Sequence, residues 1–169
     1  MDFRLFLDAD RLAAISQRIG FALWQLQELE DISAHYLVLV LRANRGMGVV
    51  PGQALLDAAL SKTFGSTVHR LSQAGQLSPE LEVQVKNLLA ERNWLVHDSL
   101  ASSRRAVRLD GACKDLISRI DEISVQALAL MKEFGALVEI FVKKHGITSE
   151  IIEALTAQTL KEWNSGDAP

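Results

Sequence analysis

The residues best suited to chemistry in this sequence are an arginine and a histidine near the middle of the chain. Arg92 and His97 lie in the segment Leu89-Ala90-Glu91-Arg92-Asn93-Trp94-Leu95-Val96-His97-Asp98, which has the pattern of the end of an amphipathic helix. At about 100° per residue, Arg92 projects from an apolar stripe. Because a guanidinium stays charged, it must there be paired or face a wet cleft. Together with Asn93, the arginine and the titratable imidazole indicate a phosphate-binding site. The stripe consists of Leu81, Val85, Leu88, Leu89, Leu95, Val96 and Leu100.

Each of these residues also has a structural interpretation. Arg92 would be a structural cation if it pairs with an acidic residue on a facing helix, for which the candidates are Glu28, Glu30 and Glu139. His97 alone is more often a packing or surface histidine, and only its pairing with Arg92 favours a ligand role. Trp94 fits a satellite core and a dimer surface equally well, since aromatic residues are enriched at interfaces.

A second group of cations follows the motif. Arg104, Arg105 and Arg108 form a small basic cluster, and two of them would lie on the side of His97 if the helix continued. The cluster is either a track for an RNA backbone, whose phosphates bind arginine in a salt-dependent way, or a solvated turn. Ser102 and Ser103 make the helical continuation doubtful.

The composition indicates one globular domain. The chain has 169 residues, 49% of them hydrophobic and 23% charged, with a net charge of -3, which argues against disorder and against a general nucleic-acid coat. A single cysteine, Cys113, excludes an internal disulfide framework and suits the cytoplasm. No apolar run reaches a membrane span, and no signal peptide is indicated at the start. We therefore expect a cytoplasmic protein without membrane association.

Apart from the breaks at Pro51 and Pro79, the apolar residues recur with helical spacing. This pattern predicts an all-α antiparallel bundle of about five helices. A single domain over 1–163 and a loose tail over 164–169 are expected. The helices are predicted at about 10–43, 54–74 (with a break near Gly65), 78–102, 110–145 and 149–163. The fourth would be on the order of 50 Å long.

The two long helices carry apolar seams that should form the core. In the first, the seam is Leu12, Ile15, Ile19, Ala22, Leu26, Leu29, Ser33, Tyr36 and Val40. In the fourth, it is Leu116, Ile120, Ile123, Ala127, Leu130, Phe134, Leu137 and Phe141. No cofactor is expected, because glycine-rich phosphate loops are absent, and no metal site is expected, because the histidines and the cysteine lack ligand spacing.

The motif resembles the signature of the HEPN superfamily, in which an arginine and a histidine separated by four to six residues lie near the end of the third helix of an all-α bundle. Here four residues separate Arg92 from His97, and the first of them is the polar Asn93. The upstream segment Lys62-Thr63-Phe64-Gly65-Ser66-Thr67-Val68-His69-Arg70-Leu71 is also similar to HEPN sequences. The resemblance covers roughly residues 10–145.

This resemblance implies a metal-independent endoribonuclease that acts as a homodimer, typically a toxin or a stress or phage-defence effector. Arg92 would bind the scissile phosphate and stabilise its developing charge. His97 would act as general base toward the ribose 2′-hydroxyl or as general acid toward the leaving oxygen, with Asn93 orienting the imidazole or bonding the phosphate. The products would carry 2′,3′-cyclic phosphate and 5′-hydroxyl ends.

The resemblance leaves alternatives open. Some HEPN toxins have a tyrosine two residues after the histidine, which a partner nucleotidyltransferase modifies, and this sequence has Ser99 there. A cognate antitoxin or another protein partner is expected, but one that does not act by modifying a tyrosine at this position. The alternative functions are a non-catalytic HEPN-like module that binds a nucleotide, an RNA phosphate or a protein, and a structural protein in which Arg92 is an ion pair.

Overall fold

The chain folds as a helical bundle, which confirms the predicted all-α class. The computed structural model describes residues 3–44 and 46–165, and no strand occurs among them. These residues form seven helices: α1 Phe3–Leu41, α2 Val49–Leu60, α3 Phe64–Gln73, α4 Pro79–His97, α5 Ser99–Ala106, α6 Asp110–Lys144 and α7 Ser149–Ser165.

The prediction of about five helices is corrected to seven in the described residues because two predicted helices are each divided. The segment 54–74 contains α2 and α3, separated at residues 61–63, where the Thr63 hydroxyl accepts a hydrogen bond from the Ser66 amide at 3.3 Å and caps α3. Helix α2 also begins earlier than predicted, at Val49. Pro51 fits its first turn because amides there have no acceptor within the helix.

The other division falls directly after the Arg92/His97 motif. Helix α4 ends at His97, and Asp98, at φ −118° and ψ −10°, separates it from α5. The Ser99 hydroxyl donates a hydrogen bond of 2.6 Å to the Leu95 carbonyl across this junction. The helix predicted over 78–102 is therefore divided into α4, which ends at His97, and α5, which begins at Ser99.

The long helices α1 and α6 run parallel to each other. Arg11 pairs with Asp110 near their beginnings, and the Tyr36 and Phe134 rings pack edge to face, 5.8 Å apart, near their ends. Helices α4 and α5 return in the opposite direction, since Gln76 bonds Tyr36 while the later Val107 bonds Arg11. This return segment carries the motif and contacts both long helices.

The predicted seams form most of the core. On α6 every seam residue from Leu116 to Phe134 is buried, and Leu137 and Phe141 are half-buried. On α1 the seam is confirmed from Ile15 onward, although Ile19 and Val40 are only half-buried. Leu12 is the exception: it is 52% exposed, and the Arg11 side chain reaches inward to the Val107 carbonyl instead.

The last helix begins where it was predicted and continues slightly further. Helix α7 includes Asn164 and Ser165, which were expected in the loose tail, and residues 166–169 lie outside the described part. None of the helices within 3–44 and 46–165 is both long and apolar enough to span a membrane.

Candidate phosphate site on helix α4

The local sequence fixes the start and the buried face of the helix that carries the motif. Ser78 caps α4 by accepting a hydrogen bond from the Leu81 amide at 3.2 Å, and Pro79 occupies the first helical position. The buried face of α4 consists of Leu81, Val85, Leu88 and Leu95. This face orients the last turns of α4, so that Arg92 lies at the edge of the core.

Arg92 forms an ion pair with one of the three predicted partners. Its Nε lies 3.2 Å from Glu30 Oε1 on α1, and the two side chains keep 30% and 27% of their exposure. Its Nη1 also lies 3.5 Å from Asn93 Oδ1. Neither Glu28 nor Glu139 pairs with it in the described part of the chain. The structural interpretation of Arg92 is therefore realised at least in part, and the pair fixes the guanidinium against α1.

The residue before Arg92 holds α4 to the other long helix. Arg119 on α6 donates two hydrogen bonds to the Glu91 carboxylate, of 2.8 and 3.0 Å. Its guanidinium also lies over the Trp94 ring, 3.4 Å from the centroid. Glu91 and Arg92 thus fasten α4 to α6 and α1 respectively. The apolar pattern of α6 does not predict these contacts of Arg119, which lies beside the seam and not on it.

Trp94 is half-buried and packs against the core, as its satellite-core interpretation predicts. Two other apolar residues of α4 on this side do not pack in the same way: Val83 is 57% exposed and Ala90 is exposed.

His97 is exposed at the end of α4, and its imidazole makes no hydrogen bond or ion pair with any residue that the structure describes. The prediction that Val96 and Leu100 continue the buried stripe is wrong, since they are 44% and 62% exposed. Val96 lies about 100° from the buried Leu95, and Leu100 belongs to α5, which buries Ser99 and Ala106. An exposed imidazole thus lies among exposed apolar side chains.

No direct contact joins the arginine and the histidine in the described chain. On an ideal helix they are about 140° apart in rotation and about 7.5 Å apart along the axis. Asn93 is exposed beside Arg92, to which its carbonyl oxygen is bonded, and it makes no hydrogen bond to His97 among the described residues. One protomer therefore presents the three predicted catalytic groups on neighbouring surfaces of α4 but does not converge them.

The arginine cluster lies on α5 and on the turn that follows it. Arg104, Arg105 and Arg108 are all exposed, and none forms an ion pair with a described residue. The serines did not prevent a helix here, because the Ser103 hydroxyl bonds the Ser99 carbonyl at 2.9 Å within α5. The cluster continues from His97 on a separate helix.

Among residues 3–44 and 46–165, no group of three or more His, Cys, Asp or Glu side chains is arranged to hold a metal ion. The pKa of Tyr36 is raised above 10.0 by burial, and hydrogen bonds from Lys86 and Ser72 lower the pKa of Glu82. Both groups lie away from the motif.

The chain matches no protein-family model, no curated protein sequence and no solved structure. The fold and site define an all-α helical bundle that carries a half-buried, ion-paired Arg92 and an exposed His97 on α4.

Proposed function

We propose that this protein is a metal-independent endoribonuclease of the HEPN type, which acts as a homodimer through Arg92, Asn93 and His97. The observation that carries the proposal is the state of the motif at the end of α4. The imidazole of His97 is exposed and unpartnered in the described chain, while the guanidinium of Arg92 is fixed by Glu30. A free general base beside an anchored cation suits the cleavage of a phosphodiester.

Cleavage of the phosphodiester requires the removal of one proton from the attacking hydroxyl and the donation of one proton to the leaving oxygen. His97 removes the proton from a ribose 2′-hydroxyl, whose oxygen attacks the adjacent phosphorus. The bond from phosphorus to the 5′-oxygen breaks, and that oxygen receives a proton from water. Arg92 stabilises the extra negative charge on the phosphate oxygens. Its Nη2 makes no hydrogen bond to a described residue and is available for this contact.

A composite site between two protomers would bring these groups together. Within one protomer Arg92 and His97 point in directions about 140° apart, so they do not meet on one phosphate. The exposed Val96 and Leu100 adjoin His97 and offer an apolar surface that a second copy would bury. We propose that this contact pairs the Arg92 of one protomer with the His97 of the other.

Cleavage of a mixed-sequence RNA tests the proposal. We expect His97→Ala and Arg92→Ala to abolish cleavage, with losses of at least about 10²-fold, as for a general base or an electrostatic stabiliser. The matched controls are His69→Ala and Arg42→Ala, which remove exposed residues away from the motif. Equal losses in the control variants would contradict the assignment.

Mixing the two inactive variants tests the composite site. A dimer of one Arg92→Ala and one His97→Ala protomer retains one intact site only if each site draws on both chains. We expect recovery of about a quarter of wild-type cleavage, since random association makes half of the dimers mixed and each mixed dimer has one of its two sites intact. An inactive mixture, with exchange of protomers confirmed by mass, would place the site within one chain.

The Glu30–Arg92 pair favours a second candidate, a non-catalytic module that binds an RNA or nucleotide phosphate, or a protein partner. A guanidinium held by a carboxylate supplies less net charge to a reacting phosphate, but its free edge still binds one. Binding of RNA without cleavage, by wild type and His97→Ala alike, would favour this candidate.

A toxin or defence role in the cytoplasm, with a cognate antitoxin, forms part of the proposal by resemblance alone. Growth arrest on expression that disappears in His97→Ala would support this role. Ser99 is 8% exposed and its hydroxyl is bonded to Leu95. Modification two residues after the histidine is therefore not proposed as the means of neutralisation.

A further inference from the structure

The basic cluster lies on a longer furrow around the corner between α5 and α6. One groove of about 520 Å³ is lined by Trp94, Arg105 and Arg119. A second, which shares Arg105 and Leu109 with it, is lined by Arg104 and Arg108. Arg108 also lines a third with Arg11. The three neighbouring grooves share these lining residues, at least one arginine lines each of them, and together they are called the furrow.

Three arginines without an ion pair lie within the five residues 104–108, whereas other unpaired cations of the described chain, such as Arg42 and Lys132, occur singly. Arg11, Arg18, Arg92 and Arg119 each pair with a carboxylate on another helix. The three arginines of the cluster have no such partner in the described chain, although the protein carries a net charge of -3. Arg104, in the last turn of α5, and Arg108, in the turn after it, line the same groove, where their like charges repel each other. A bound polyanion would relieve this repulsion.

The groove at Trp94 has the features of a base-binding site. Glu91 holds the Arg119 guanidinium by two hydrogen bonds, and the Trp94 ring packs against one of its faces. The guanidinium plane is thereby fixed, and guanidinium planes stack on unpaired bases. Asp115 also lines this groove, where its carboxylate repels phosphate but accepts a hydrogen bond from a base amino group.

We propose that the furrow binds single-stranded nucleic acid, with an unstacked base against Arg119 and the adjoining phosphates on Arg104, Arg105 and Arg108. The lining of the grooves supports this placement, since Asp115 lines the Trp94 groove and Glu91 and Glu122 line the groove beside it, whereas no carboxylate lines the groove on α5. A duplex hides its base faces and does not fit the first groove. This inference deepens the proposed function by placing the strand outside the Arg92/His97 motif, and it stands on a separate set of contacts.

The experiment measures binding of labelled 12-nucleotide RNA and DNA strands of one sequence to the full chain carrying His97→Ala. The DNA strand lacks the 2′-hydroxyl, so its binding is independent of the proposed cleavage. We expect the triple variant Arg104→Gln, Arg105→Gln, Arg108→Gln to bind roughly 100-fold more weakly at 0.1 M salt. The slope of log affinity against log salt should fall in magnitude by about 2, from three contacts at about 0.7 each.

The matched control is Arg42→Gln, Lys62→Gln, Lys132→Gln, which makes the same change of charge at exposed positions outside the furrow. Equal losses in both triple variants would overturn the proposal, because general charge would then explain the binding. Tighter binding of a duplex than of either strand would also overturn it. Tighter binding of RNA than of DNA would identify RNA as the ligand of the furrow, and equal binding would show that the furrow accepts either strand.

A second variant tests the base contact. Arg119→Lys keeps the charge but removes the plane, so we expect roughly tenfold weaker binding of the normal strand and no change for an abasic strand of equal length. Equal weakening of both strands would contradict base stacking. If the wild-type chain cleaves no RNA yet the furrow variants lose binding, the ribonuclease proposal fails and the furrow stands. If cleavage depends on His97 but the furrow variants bind as tightly as the controls, the furrow proposal fails and the ribonuclease proposal stands.

Discussion

Removal of the Glu30–Arg92 ion pair should destabilise the fold by an amount that its partial burial determines. Exposed pairs contribute about 0.2–1 kcal/mol, and breaking a fully buried pair costs about 3–5 kcal/mol. Arg92 and Glu30 keep 30% and 27% of their exposure, which places this pair between those limits. We expect a coupling free energy of about 1.5 kcal/mol. For a chain of this size that corresponds to a loss of about 3–6 °C in Tm.

The assay is a double-mutant cycle of urea unfolding with Arg92→Gln, Glu30→Gln and the double variant. The Arg18–Asp121 pair provides the control, since its atoms are closer, at 2.6 Å, but its side chains are more exposed, at 51% and 42%. We expect its coupling to be below about 1 kcal/mol. A larger coupling for Arg18–Asp121, or an Arg92→Gln variant more stable than wild type, would refute the reasoning that burial sets the strength of these pairs.

Three further predictions concern the core and the caps. Burial raises the pKa of Tyr36, the single tyrosine, so the folded state disfavours the tyrosinate, and stability should be full below pH 10.0 and fall as pH rises above it. Tyrosinate absorbance should therefore appear together with unfolding. A tyrosine that ionises near pH 10.0 while the chain is still helical would contradict this prediction. Ser78→Ala should cost about 1 kcal/mol in urea unfolding by removing the α4 cap, with Ser78→Gly costing less; equal stability of all three would count against the cap. Phe134→Ala should cost about 3–5 kcal/mol, since the ring is 0% exposed, and a cost below about 1 kcal/mol would mean that the site is not closely packed.

The core was predictable because burial imposes a spacing on a helix that the sequence displays directly. The α6 seam from Leu116 to Phe134 is buried throughout. The α1 seam fails only at Leu12, where Arg11 turns inward to Val107. A strict repeat of seven drifts by about 20° per heptad on a straight helix, so a seam extrapolated over many turns is least accurate at its end.

The break after His97 was not predictable from the apolar pattern. Leu95, Val96 and Leu100 fit a continuous helix as well as a divided one, and the break consists of one residue, Asp98, at φ −118° and ψ −10°. One consequence is that Leu100 belongs to α5, which buries Ser99 and Ala106 instead, so that Leu100 is 62% exposed. Local backbone geometry therefore determined the surroundings of the site.

Of the side chains that contact the motif and its neighbours on α4, the sequence predicted the partner of Arg92 but not the contacts of Arg119. Glu30 was one of three carboxylates predicted as partners of Arg92, and it adjoins the seam residue Leu29. The contacts of Arg119 with Glu91 and Trp94 depend on how α4 and α6 are rotated against each other, which the sequence of neither helix specifies.

The most direct test of the central claim is the chemistry of RNA ends after incubation with purified protein in EDTA. The proposed roles of Arg92 and His97 predict 2′,3′-cyclic phosphate and 5′-hydroxyl ends with wild type, and no cleavage with Arg92→Ala or His97→Ala of equal helicity and Tm. Intact RNA at micromolar wild-type protein would contradict the account, as would cleavage that survives the loss of His97.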